Sequence, residues 1–178
     1  MSDVRSIFRS IGLSHWRIVN ERIKSGGQAA VLMVANDVGE NGVFRCLIDP
    51  DTVAIERFHR ELQLLTDPRF RHPNIVELLD YTSSPSQHWY ISRFGYSFVA
   101  YWKSVRDTND EPESLVREAV EIVAKLADGL GPLHREGVVH RDIKPRNIVM
   151  RTDTSSEASS AAPAGGYREV PETIRAPE

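Results

Sequence analysis

His140-Arg141-Asp142-Ile143-Lys144-Pro145-Arg146-Asn147 puts cationic and imidazole side chains, a carboxylate and a carboxamide into eight consecutive residues. Its form is H-R-D-x-K-P-x-N. Six fixed positions coincide by chance in a chain of 178 residues roughly once in a few hundred thousand sequences. A solvated polar turn after a helix is the plain alternative, and that specificity weighs against it. Ile148-Val149-Met150 reads as a short strand directly after the stretch. Upstream, Leu115, Ala119, Ile122, Leu126, Leu130 and Leu133 recur at helical spacing and predict a helix over 113–133. Pro132 is expected to kink or end it.

Further upstream the pattern is mainly β. Trp16 to Ile23, Ala29 to Ala35 and Val43 to Ile48 predict three antiparallel strands. The turn-formers Ser25-Gly26-Gly27 and Asn36 to Gly42 separate them. Asp49-Pro50-Asp51 stops the third strand, and Asp51 or Thr52 can cap a helix running to Thr66. Its apolar stripe is Ile55, Phe58, Leu62 and Leu65, and Glu61 lies beside that stripe, where a carboxylate needs solvent or a cation. Residues 75–81 and 88–94 predict two more strands, and 98–105 a short helix. Residues 151–166 are different: thirteen of sixteen are Ser, Thr, Ala, Gly or Pro, too few apolar groups to build a core.

Composition narrows the function classes. Hydrophobic residues make up 40% and charged residues 26%, which excludes wholesale disorder. Twenty-two basic against 25 acidic residues give a net charge of −3, which argues against nucleic-acid binding through bulk charge. The single cysteine, Cys46, excludes a disulfide framework and any multi-cysteine zinc site. No signal peptide and no run of about 18 apolar residues is present, so the expectation is a cytoplasmic protein with no membrane partner.

The 140–147 stretch resembles the catalytic loop of the eukaryotic-type protein kinases, and its Lys-Pro pair resembles the Ser/Thr-specific branch. Aminoglycoside phosphotransferases usually carry Gly where Arg141 stands. The element order over residues 14–150 is also similar to the kinase order. The resemblance implies an α+β fold: a leader over 1–13, an antiparallel five-stranded N-lobe over 14–94, a partial, mainly helical C-lobe over 95–150, and an activation-segment-like tail over 151–178. It implies ATP and magnesium as cofactors and a protein hydroxyl as substrate. Asp142 would accept a hydrogen bond from that hydroxyl, Lys144 would lie on the γ-phosphate, and Asn147 would hold magnesium. His140 would pack the loop, and Arg141 would tether the activation segment. Gly26, Gly27 and Val31 would form the Gly-rich loop, Val43 would flank adenine, and Ser92, Arg93 and Phe94 would be the gatekeeper and hinge. Glu61 resembles the glutamate that pairs with the strand-3 lysine.

Several positions depart from the family pattern. Of the glycines in G-x-G-x-x-G-x-V only Gly26 remains, with Lys24 and Ala29 at the flanking places. The strand-3 lysine is absent. One register puts Arg45 there, sixteen residues before Glu61, and a shift by one puts Cys46 there. Arg45 is preferred because it keeps a cation for Glu61, although a planar fork does not replace a point charge. Ser159 to Pro163 occupy the window of the D-F-G motif. Asp153, the one aspartate after Asn147, is too close in sequence and has no Phe-Gly after it, so weak magnesium dependence is expected; a steep one would make Asp153 or Glu157 the candidate ligand. Ala176-Pro177-Glu178 resembles the A-P-E closing the activation segment, with Glu178 structural. Three readings follow: a Ser/Thr kinase domain of impaired turnover, a pseudokinase scaffold, or an inactive fragment of a larger kinase. With few later elements to cover the 113–133 helix, exposed apolar surface and self-association are expected there.

Overall fold

A computed structural model describes residues 4–26, 29–108 and 111–151. Gly27, Asp153, Glu157, the 159–163 window and Ala176-Pro177-Glu178 lie outside them. The fold is α+β, and the chain divides into two compact units, Met1–Phe94 and Gly95–Glu178.

The first unit is built on five antiparallel strands, β1 (Trp16–Gly26), β2 (Ala29–Asn36), β3 (Asn41–Leu47), β4 (Leu78–Tyr81) and β5 (Trp89–Arg93), in the order β1-β2-β3-β5-β4. Period-2 alternation sorts their side chains onto two faces. Phe44, Cys46, Trp89 and Ile91 join Ala30, Leu32 and Val34 in one core cluster. Arg45, Tyr90 and Ser92 alternate with them and so lie on the other face. Gly42 permits the close approach of β3 to β5: a Cβ there would stand 2.6 Å from Ile91 Cγ2.

The leader is an ordered element that the sequence reading did not assign. Helix α1 (Val4–Ile11) buries Val4 and Phe8 in the first cluster. The Phe8 ring meets Phe44 edge-on at 5.0 Å, the arrangement aromatic quadrupoles favour. Helix α2 (Thr52–Thr66) covers the opposite face with Phe58, Glu61 and Leu62. It starts where expected: Asp51 is its N-cap, its carboxylate accepting from the Ala54 N–H at 2.8 Å. The fourth and fifth strands are shorter than predicted. Residues 75–77 remain outside β4, with the Ile75 N–H turned back to the His72 carbonyl.

The second unit holds α3 (Phe98–Thr108), α4 (Pro112–Arg135) and a two-residue ladder between β6 (Tyr96–Ser97) and β7 (Val149–Met150). α4 differs from expectation at its end. Pro132 lies inside the helix, which continues to Arg135. A proline in the last turn removes a single hydrogen bond, and the neighbouring bonds hold the turn. The stop is Gly137, at φ +72°, with its N–H on the His134 carbonyl and the Val138 N–H on the Leu133 carbonyl. Tyr101 of α3 donates to Glu118 of α4 at 2.5 Å. Val116, Val120 and Val123 form an exposed row on α4, each more than 60% accessible. No helix among the described residues is long and apolar enough to cross a membrane.

Packing of α1 predicts that Phe8→Ala lowers unfolding free energy by about 3 kcal/mol. Val38→Ala, at a side chain 87% exposed, should stay within about 0.5 kcal/mol. Urea unfolding of both variants checks this, and equal effects would show that α1 is not part of the core.

Candidate functional site

In the first unit, antiparallel registry brings the expected nucleotide-side residues into two rows. Val31 pairs with Arg45 and Arg45 with Tyr90; Met33 pairs with Val43 and Val43 with Ser92. Val31, Val43, Arg45 and Ser92 therefore share one face of the sheet. Gly26 ends β1 opposite Ala29.

Helix α2 delivers Glu61 to that face. Its side chain is only 5% exposed, so desolvation would be severe without compensation. Two side chains supply compensation. Arg45 Nη1 donates to Glu61 Oε2 at 2.6 Å and to Tyr90 Oη at 3.0 Å, while Tyr90 Oη donates to Glu61 Oε1 at 2.7 Å. Each carboxylate oxygen thus receives one donor. Burial holds the Glu61 carboxyl above its ordinary value, and Arg45 and Tyr90 offset that only in part. Burial also works against the Arg45 charge, and Tyr90 and Glu61 more than restore it. The Phe58 and Tyr90 rings stack at 5.5 Å, with the guanidinium carbon 5.9 and 5.6 Å from their centroids.

Cys46 points the opposite way. It is 1% exposed in the α1-side core, and burial pushes its thiol up to about 12. Arg45, not Cys46, faces Glu61.

At the end of β5, Arg93 is tied into its own unit. Its side chain bonds Glu40 and, through Nε at 2.8 Å, Glu77. Its backbone N–H reaches the Glu77 carbonyl, and the Phe94 N–H reaches that of Asn41. Those two N–H groups are engaged within the first unit.

In the second unit the 140–147 loop is held at its exit. The β6–β7 ladder and a bond from the Phe98 N–H to the Ile148 carbonyl fix its exit. Gly95 allows this, since a Cβ would sit 2.9 Å from Val149 Cβ. Within the loop, Asn147 Nδ2 donates to the Asp142 carbonyl at 2.8 Å and to Asp142 Oδ2 at 3.0 Å. Lys144 Nζ is also 3.0 Å from Asp142 Oδ2. The Asp142 N–H lies 3.3 Å from His140 Nδ1, and burial lowers the His140 pKa, which favours the neutral acceptor. Arg141 takes φ +60°, a left-handed conformation rarely adopted by a long side chain.

Asn147 Oδ1 is buried and has no hydrogen-bond partner among the described residues. An orphaned carboxamide oxygen beside a carboxylate suits a hard, oxygen-seeking cation such as magnesium. Among the described residues no group of three His, Cys, Asp or Glu could hold a metal ion by itself. Asn147 Oδ1, with Asp142, is what this loop offers.

The protein kinase domain model matches residues 18–157. The chain belongs to the protein kinase domain family. Within that family, it is 30% identical over 142 residues to the probable serine/threonine-protein kinase PknB of Lactococcus lactis, covering 76% of this chain and 21% of the relative. It is 28% identical over 171 residues to the DNA damage response protein kinase DUN1 of Saccharomyces cerevisiae, covering 90% of this chain and 29% of that protein. Human serine/threonine-protein kinase STK11 is 33% identical over 95 residues, covering 52% and 21%. The chain thus spans less than a third of the length of these kinases.

Tyr90 is the site residue that sequence reasoning missed. The only signal was its place in a predicted strand, and the β3–β5 register that sets it beside Arg45 is not written in either strand alone.

Opposite placement of neighbours Arg45 and Cys46 predicts that the native thiol resists iodoacetamide at mildly alkaline pH and labels on unfolding. Mass spectrometry of native and urea-treated protein checks this. Rapid stoichiometric labelling of the native chain would contradict the register.

Proposed function

We propose that this kinase-family chain binds ATP with magnesium and transfers the γ-phosphate to serine or threonine hydroxyls of protein, at reduced turnover. The observation that carries the reading is the Asp142–Lys144–Asn147 cluster, in which an ammonium and a carboxamide converge on one carboxylate. Asp142 orients the substrate hydroxyl and takes its proton. The hydroxyl oxygen bonds to the γ-phosphorus as the bond to the bridging oxygen breaks, and ADP leaves. Lys144 neutralises charge on the transferring group. Asn147 ties Asp142 down through Nδ2 and keeps Oδ1 for magnesium. Bound there, the cation would offset phosphate charge. In the first unit, Val31 and Val43 offer apolar contact to adenine, Ser92 is a small gatekeeper, Gly26 at the end of β1 leaves room for the phosphates, and Arg45 meets phosphate oxygens.

A pseudokinase reading is favoured by one observation: Arg45 commits Nη1 to Glu61 and Tyr90, so the point charge of a lysine has no equivalent. As partners we propose a protein substrate and, at the exposed Val116, Val120 and Val123, a second copy of the chain, in a cytoplasmic setting. A concentration-independent monomer in sedimentation would remove the second copy.

Transfer of labelled γ-phosphate decides between the first two readings. Asp142→Ala should reduce incorporation at least about a hundredfold, the ordinary contribution of a positioned base. Equal incorporation by wild type and variant would show that Asp142 does not act in the reaction. A wild type that binds ATP but transfers nothing would leave the pseudokinase.

A further inference from the structure

The Arg45–Glu61 contact is not the two-armed pair that an arginine and a carboxylate usually make. A fork facing a free carboxylate engages both oxygens with two nitrogens. Here Glu61 Oε1 is already occupied by the Tyr90 hydroxyl at 2.7 Å, and only Arg45 Nη1 reaches the carboxylate, on Oε2 at 2.6 Å. The same Nη1 also donates to Tyr90 Oη at 3.0 Å, closing a triangle of three side chains. Nε and Nη2 of Arg45 have no hydrogen-bond partner among the described residues.

We propose that Tyr90 is a positioning residue: by holding Glu61 Oε1 it confines Arg45 to a one-armed pair and reserves Nε and Nη2 as a two-donor edge for the phosphate oxygens of a nucleotide. This rests on the nucleotide-binding reading above and assigns the device that lets an arginine serve at the lysine position. A lysine would need no such device, because its ammonium has three donors about one point. Tyr90 suits the task. Its side chain is fully buried, its ring is fixed by the stack on Phe58, and burial raises its phenol pKa, so the proton given to Glu61 is always present. Without that hydroxyl, Oε1 is vacant and the fork can rotate to take both oxygens, turning its free edge inward.

The test is calorimetric titration of the full chain with MgATP and, separately, with adenosine, which has no phosphate. Tyr90→Phe keeps the ring and removes the hydroxyl. The expected result is about tenfold weaker ATP binding, the contribution of one charge-assisted hydrogen bond, with adenosine affinity unchanged. In an Arg45→Lys background the same change should alter ATP affinity by less than about twofold, because there is no fork to redirect. Glu61→Gln leaves a single acceptor oxygen and so no two-armed pair for the fork to form; ATP affinity should stay within about twofold in that variant, which can be read even if Tyr90→Phe folds poorly, and a tenfold phosphate-selective loss there would overturn the proposal. Equal loss of ATP and adenosine, or an undiminished Tyr90→Phe effect in the Arg45→Lys background, would overturn the positioning role while leaving nucleotide binding intact. A folded wild type that binds neither ligand would overturn the nucleotide reading itself.

Discussion

A carboxylate buried on a helix face constrains the first unit more than any other feature. Glu61 cannot be left at 4% exposure without partners, because an uncompensated buried charge costs several kcal/mol. Its partners come from β3 and β5, strands far apart in sequence, so satisfying Glu61 fixes the helix against the sheet and the register of the two strands together. Slip β3 by one residue and Cys46 would face Glu61 while Arg45 entered the apolar cluster with Phe44 and Trp89. Both outcomes are unfavourable, so the pair specifies register as well as placing a cation.

The same logic in smaller form governs the second unit. The 140–147 loop has little apolar surface to hold it and relies on polar closure. Asn147 clamps Asp142 through both backbone and side chain. The β6–β7 ladder holds the loop exit. Gly95 is required by that ladder's closeness at Val149. Two features of the loop stand apart from this closure: the left-handed Arg141 and the orphaned Asn147 Oδ1.

Much of this was legible in the sequence, for identifiable reasons. The catalytic-loop pattern is local, so its residues are near each other whatever the rest does. Helix α2 and its Asp51 cap were legible because capping chemistry and a 3.6-residue period are local too. The Arg45–Glu61 pair was legible only through the kinase resemblance, because Glu61 by itself reads as a helical carboxylate that solvent could satisfy as well as a cation. What escaped depended on long-range geometry. Tyr90 joins the pair only through the cross-strand register. Helix α1 is short, and its two buried residues, Val4 and Phe8, gain meaning only from the cluster they cover. Gly137 rather than Pro132 ends α4, because one missing hydrogen bond in a last turn costs less than the propensity argument suggests.

Arg45 is held by one arm and keeps its other edge open, and side-chain nitrogen NMR of this residue tests that arrangement most directly. Two separate Nη signals are expected in the unliganded protein, with Nη1 unmoved and Nε and Nη2 shifted on adding MgATP. A single averaged Nη signal that MgATP leaves unchanged would contradict it.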